Sequence, residues 1–179
     1  MASYVLLATW KKYANKLDSD TTGEQLYQLY IEAAEKIVAD YLSYSPPSAS
    51  YTHTIAGTGR STIQLKAKPV TALTSVTIDG VSRDVADFSL DDERLTDTTG
   101  SVFSRHSTIV VAYTAGFATV PALIQMAVME IASLLSQQAG ENIGVSSTTF
   151  DGGNTRSFIN YTSFEKYLRP LSSYRVVRL

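Results

Sequence analysis

Few residues of this chain have both the type and the spacing that chemistry requires. Gly57-Thr58-Gly59-Arg60-Ser61-Thr62 has the outline of a phosphate loop. A Walker-type cradle ends in Gly-Lys, and the dinucleotide fingerprint needs glycine where Thr62 stands. The segment therefore reads as a hairpin tip. His53 and His106 lie in separate strand-like segments without a His-Glu-x-x-His pairing, so they read as surface strand residues and not as metal ligands. No Gly-x-Ser-x-Gly elbow is present. The chain has no cysteine, which excludes thiol catalysis, thiolate metal sites and disulfides. No catalytic, cofactor-binding or metal-binding residue is expected, and no cofactor.

Charge is distributed unevenly. Between Asp79 and Asp97 lie seven acids against Arg83 and Arg94. Asp91-Asp92-Glu93 lacks the spaced ligands and glycine of a calcium loop. These acids read as solvated turns, with a carboxylate pair for acid–base work as the alternative. From Thr155 onward the sign reverses: Arg156, Lys166, Arg169, Arg175 and Arg178 stand against Glu165 alone. Tyr161, Tyr167 and Tyr174 interleave with these bases, as in a stacking platform for single-stranded nucleic acid. No nucleic-acid-binding motif accompanies them. The net charge of -2 is thus a cancellation, and opposite patches on one subunit suit contacts between copies or with a partner.

The 179 residues suit one domain with an appendage. Hydrophobic residues make up 44% and charged residues 18%, while 21 Ser and 20 Thr fill the polar share. Eleven Tyr against one Trp is an unusual bias. No apolar run reaches the roughly 18 residues of a spanning helix. Met1 to Ala8 lacks the basic start of a signal peptide, so the chain is expected to be made and kept in the cytoplasm.

Thr9 reads as the N-cap of a short helix through about Leu17. Thr22 and Gln25, or Thr21 and Glu24 one residue earlier, match a capping box for a long helix to about Ser43. Its apolar positions cover roughly 220° at ~100° per residue, where one-sided burial needs only about 100°. Either this helix is sandwiched within its own domain, or one flank carrying Tyr27 and Ile31 meets a neighbouring subunit. Pro46-Pro47 ends the helical region. Tyr51–Ile55 and Ser61–Leu65 read as strands of a hairpin, as do Leu73–Ile78 and the residues after the Asp79-Gly80 turn. Phe88–Leu90, Arg94-Leu95, Val102-Phe103 and Ile109–Tyr113 read as further strands. Val120-Pro121 opens a second long helix to about Gly140, whose outer side carries Met126 and Met129. Residues 140–157 read as a loop. Thr162 and Glu165 cap a short helix that Pro170 ends, and the tail is β-prone. The expected class is α+β: mainly a helical bundle of two long helices plus short N- and C-terminal helices, with a small antiparallel β-hairpin sheet inserted between the long helices. Residues 1–139 form the expected core, and 140–179 the loop, short helix and arm.

Two segments carry a resemblance. Leu65-Lys66-Ala67-Lys68-Pro69-Val70 leads through a strand to Ile78-Asp79-Gly80, and Tyr113-Thr114-Ala115-Gly116-Phe117 leads to Val120-Pro121 and a helix. Their order and spacing, after a helix containing Ile31-Glu32-Ala33-Ala34, resemble the head–tail adaptor (connector) proteins of tailed bacteriophages over roughly residues 5–140. The resemblance implies a structural virion protein at the neck, assembled in the host cytoplasm as a ring of typically twelve copies beneath the portal protein. It implies a docking surface for a downstream neck, stopper or tail-completion protein, and a conduit for DNA without sequence-specific binding. The portal-gripping arm carries over to Tyr174, Arg175, Val176, Val177, Arg178 and Leu179. Tyr27, Ile31, Met126 and Met129 are the expected subunit interface. Asp91, Asp92 and Glu93 are candidates for repulsive charge facing the lumen. A small nucleic-acid-binding or DNA-packaging accessory is the rival function.

Overall fold

The computed structural model describes residues 3–16, 21, 23–138, 147–149, 155–157 and 164–176. The chain divides into two compact units. One is helical, Met1–Leu42 with Pro121–Arg175; the other is built of strands, Ser43–Val120 with Val176–Leu179.

In the helical unit, α1 spans Leu7–Tyr13, α2 Glu24–Leu42 and α3 Ala122–Gln138. α2 buries Ile31, Ala34, Val38 and Leu42, which recur every three or four residues and so share one face. α3 buries Ile124, Ala127, Val128, Ile131, Ala132 and Leu134 on the same principle. Pro121 opens α3, its carbonyl accepting from the N–H groups of Ile124 and Gln125. Glu35 ties the N-terminal segment to α2, accepting from Ser3 Oγ at 2.8 Å and Tyr4 N at 2.6 Å. Buried Lys11 pairs with Glu24. α4 is the single turn Glu165–Leu168, and a 3-10 helix over Arg169–Tyr174 follows it directly. Pro170 therefore does not end the helical run. It sits at the start of a new helical segment, where a missing N–H costs nothing.

The strand unit contains a four-stranded antiparallel sheet in the order β1-β7-β3-β4 and a three-stranded sheet in the order β2-β6-β5. Its strands are β1 Ala49–Ala56, β2 Thr62–Gln64, β3 Val70–Ile78, β4 Val81–Arg83, β5 Phe88–Asp91, β6 Arg94–Asp97 and β7 Thr108–Ala115. A separate pair, β8 Ser147–Thr149 with β9 Thr155–Ser157, falls within the residues expected as loop.

This corrects the expected architecture. The class is α+β, but the molecule is not mainly a helical bundle with a small inserted sheet. Seven strands in two sheets bury Ile63, Leu65, Val76, Leu95, Phe103, Ile109, Val111 and Tyr113 almost completely, which is a core of their own. Nor do β1 and β2 form a hairpin: β1 pairs with β7 and β2 with β6. The Gly57–Arg60 segment is a crossing between sheets. A Cβ at Gly57 would lie 1.8 Å from the Ser104 carbonyl oxygen, so only glycine fits the crossing. Val102-Phe103 is not a strand.

Candidate functional site

Three places on the molecule combine exposure with chemistry. The first is the outer surface of the helical unit. α2 leaves Leu26 48% and Leu29 58% exposed, with Ala33 one turn on. α3 leaves Leu123 and Met126 exposed, α1 adds Tyr13, and Leu6 just before α1 is exposed as well. At 100° per residue Leu26, Leu29 and Ala33 share one arc, separate from the arc of Ile31, Ala34 and Val38. The wide apolar arc of this helix is therefore two faces, one buried and one open. Ile31 is fully buried in its own chain and cannot meet a neighbour; Tyr27 and Met129 are half-buried, and Met126 is 51% exposed. The residues missed from sequence are Leu26 and Leu29, which periodicity alone assigns to the core as readily as Ile31. Tyr13 lies beside α3: partial burial, and then the Glu130 carboxylate that accepts from its hydroxyl, push its pKa up to about 12.

The second place is the β1–β7 face. Alternation along β1 puts Tyr51, His53 and Ile55 on one side. Tyr51 stacks on His53 and Tyr113, with ring centroids 5.6 and 5.7 Å apart. His53 Nδ1 lies 2.8 Å from the Tyr113 hydroxyl, which also accepts from the Lys66 N–H at 3.1 Å. Burial raises the pKa of both tyrosines. The Tyr113 hydroxyl at the centre of this cluster is buried. His53 is thus a partner of Tyr113 and not merely a surface strand residue.

The third is an open groove of about 1380 Å³ in the strand unit. Ile55, Ile63, Leu65 and Val176 form its apolar floor, with Arg60, Lys66, Arg94 and Arg105 around it. None of these four cations has an ion-pair partner among the described residues. Glu93 lines the same groove, accepting from Gln64 Nε2 at 3.0 Å with Lys68 Nζ at 3.6 Å. Asp91 and Asp92 are exposed at the β5–β6 turn. The three acids expected to face a lumen thus divide, with Glu93 turned into a basic groove.

Of the expected arm, Tyr174 is half-buried, Arg175 lies over the Tyr41 ring at 5.4 Å, and Val176 is buried. Val177, Arg178 and Leu179 lie outside the described residues, as do Thr22 and Thr162 of the capping boxes. No group of three His, Asp or Glu among the described residues gathers to hold a metal ion. No helix is long and apolar enough to cross a membrane among the same residues.

The motif segments also find their reason. Gly116 has φ 108°, and a Cβ there would sit 2.5 Å from the Pro47 carbonyl oxygen. Phe117 N donates to Pro46 O at 2.7 Å, and Ser48 N donates to Phe117 O at 3.0 Å. The Ala-Gly-aromatic step thus clasps the Pro-Pro step that follows α2. Asp79 and Gly80 both have positive φ, as a two-residue hairpin turn requires.

Among the described residues, the helical unit thus exposes apolar side chains and the strand unit a cationic groove. The chain's family is shown directly. A family model for the head completion protein matches residues 5–177, and the chain belongs to that family. Membership bears out the resemblance to phage head–tail adaptors, and head completion is a step of virion assembly at the expected head–tail junction.

The fold is similar to a chain in the neck of an empty GTA particle computed with C6 symmetry. That match has a TM-score of 0.66 and 16% identity, and covers 98% of this chain and 91% of the other. A chain in the virion of a native gene transfer agent particle matches with a TM-score of 0.65 and 16% identity, over 100% and 94%. One in the native GTA neck with C12 symmetry matches at 0.62 and 15%, over 97% and 89%. A search of curated proteins finds no match.

Proposed function

We propose that the chain is a non-enzymatic subunit of a ring at the virion neck, seated beneath the portal protein. The ring offers a docking surface to the next neck or tail protein and a passage for DNA. The observation that carries this reading is the open apolar face of α2. Leu26 and Leu29 stand roughly half exposed on a helix whose other face is already packed. A solitary subunit gains nothing from this arrangement, whereas a neighbour would cover it. The C6 and C12 symmetries of the similar particle necks support a ring. Met126 and Leu123 on α3 extend the proposed interface, with Tyr27 and Met129 at its margin.

The arm at Tyr174–Leu179 is proposed as the portal contact. Because Val176 is buried and Arg175 lies over Tyr41, the deletion that tests the arm spares both and removes only Val177–Leu179, with circular dichroism as the check on folding. Asp91 and Asp92 remain the proposed repulsive charge for passing DNA. The direct experiment mixes the chain with its portal protein and measures mass and images by electron microscopy. A ring stacked on the portal is expected; a chain that leaves the portal bare rejects the proposal. The rival reading as a DNA-binding accessory predicts salt-dependent binding of duplex DNA by the chain alone.

A further inference from the structure

Resting on the ring reading, we propose that the strand unit supplies a second contact between copies: the β1 edge of one copy receives the β4 edge of the next. Both strands are edges of the same sheet. β1 is eight residues long and pairs with β7 without a register shift. It contains no Pro, Lys, Arg, Asp or Glu, the devices that ordinarily blunt an edge.

Its open positions follow from the ladder. Gly57 N donates to Ser107 O, so odd-numbered residues of β1 exchange hydrogen bonds with β7. The main chains of Ser50, Thr52, Thr54 and Ala56 then face outward, and no hydrogen bond reaches them from the described residues. On the opposite edge, the two-residue turn makes Ile78 and Val81 a hydrogen-bonded pair, so Ser82 faces outward.

The two edges match in polarity, level and charge. Strands alternate in direction through β1-β7-β3-β4, so β4 runs antiparallel to the β1 of a copy placed beside it in the same orientation. Thr54 pairs with Val110, Val110 with Thr77, and Thr77 with Ser82. Continuing the sheet therefore sets Ser82 of one copy opposite Thr54 of the next, both with outward main chains. Val81, 64% exposed, then lies beside Ile55. Asp79, at the turn, comes to the end of the sheet where Arg60 and Arg105 of the neighbour have no ion-pair partner among the described residues. A contact using two different edges of each copy is heterologous, as a ring requires. β4 is three residues long, so the joint is short and leaves the tilt between neighbouring sheets free.

Absence of native cysteine makes the test direct. In a chain carrying Thr54→Cys and Ser82→Cys the two sites lie three strand spacings apart, about 14 Å at ~4.8 Å each. That is beyond the ~7 Å limit for a disulfide within one copy. Between copies a hydrogen-bonded pair sits at about 5.5 Å, within range. Mild oxidation should give a ladder of disulfide-linked oligomers at least tenfold faster than a control chain carrying Asp40→Cys and Ser82→Cys. Circular dichroism confirms that both chains fold, since all three positions are exposed. Cross-linking no faster than the control overturns the proposal; if the unmodified chain still forms rings on the portal, the ring reading stands without it. A fast ladder from a chain that never rings on the portal upholds this contact and rejects the ring.

Discussion

Replacing both Leu26 and Leu29 by Ser separates assembly from folding. The two side chains are 48% and 58% exposed in the isolated chain. Fully burying a leucine contributes ~1.5–3 kcal/mol, so covering the remaining half of each at an interface contributes roughly 1.5–3 kcal/mol for the pair. At ~1.4 kcal/mol per tenfold, the double variant should weaken each contact between copies by roughly 10- to 150-fold. The half already buried in the monomer carries the remainder, so its own stability should fall by a similar ~1.5–3 kcal/mol at most. The assay is sedimentation of the chain on its portal across a concentration series, alongside urea unfolding of the monomer. Assembly at the unmodified midpoint by a variant with native circular dichroism would mean that the open face of α2 is not covered between copies.

Other outcomes follow from individual side chains. Tyr113→Phe removes the hydroxyl that accepts from Lys66 N–H and should lower stability by ~1–3 kcal/mol, read as a shifted urea midpoint at unchanged slope. Tyr13 has a folded pKa of about 12, above its ordinary 10, so its contribution is complete below pH 10 and is lost as pH rises toward 12. Tyr13→Phe should abolish that part of the alkaline loss, measured as the difference between the two stability profiles. Burial raises the pKa of Asp97, but hydrogen bonds from the Thr99 side chain and backbone, then the Arg83 charge, outweigh it and hold the carboxyl below its usual range. Its contribution is present above the ordinary value near 3.8 and is lost as pH falls through the lower folded value. Asp97→Asn should therefore flatten the acid limb of the stability profile. Gly57→Ala forces a methyl into the Ser104 carbonyl and should cost roughly 1–3 kcal/mol or more, visible as a lowered Tm.

The helices and hairpin turns were legible in the sequence because their signals are local. Spacing in α2, Pro121 before α3 and Asp79-Gly80 between β3 and β4 each declare themselves within a few residues. What was not legible depends on partners distant in the chain. β1 and β2 flank a glycine-rich loop that reads as a hairpin, yet their mates are β7 and β6, and only the close approach of Gly57 to Ser104 reveals the crossing. The size of the strand unit is hidden in the sequence for the same reason, since short strands such as Thr62–Gln64 gain their core only from strands tens of residues away. On α2, periodicity located two apolar flanks but could not assign Ile31 to the buried one and Leu29 to the open one. The basic groove had no sequence signal, because Arg60, Lys66, Arg94 and Arg105 are scattered and come together only through the sheets.

The proposed role is that of a ring seated on the portal protein at the head–tail junction. Electron microscopy of the purified chain mixed with its cognate portal tests it most directly. The expected result is a second ring stacked coaxially on the portal, with several copies of the chain per portal assembly. Portal particles that stay bare at saturating chain would contradict it.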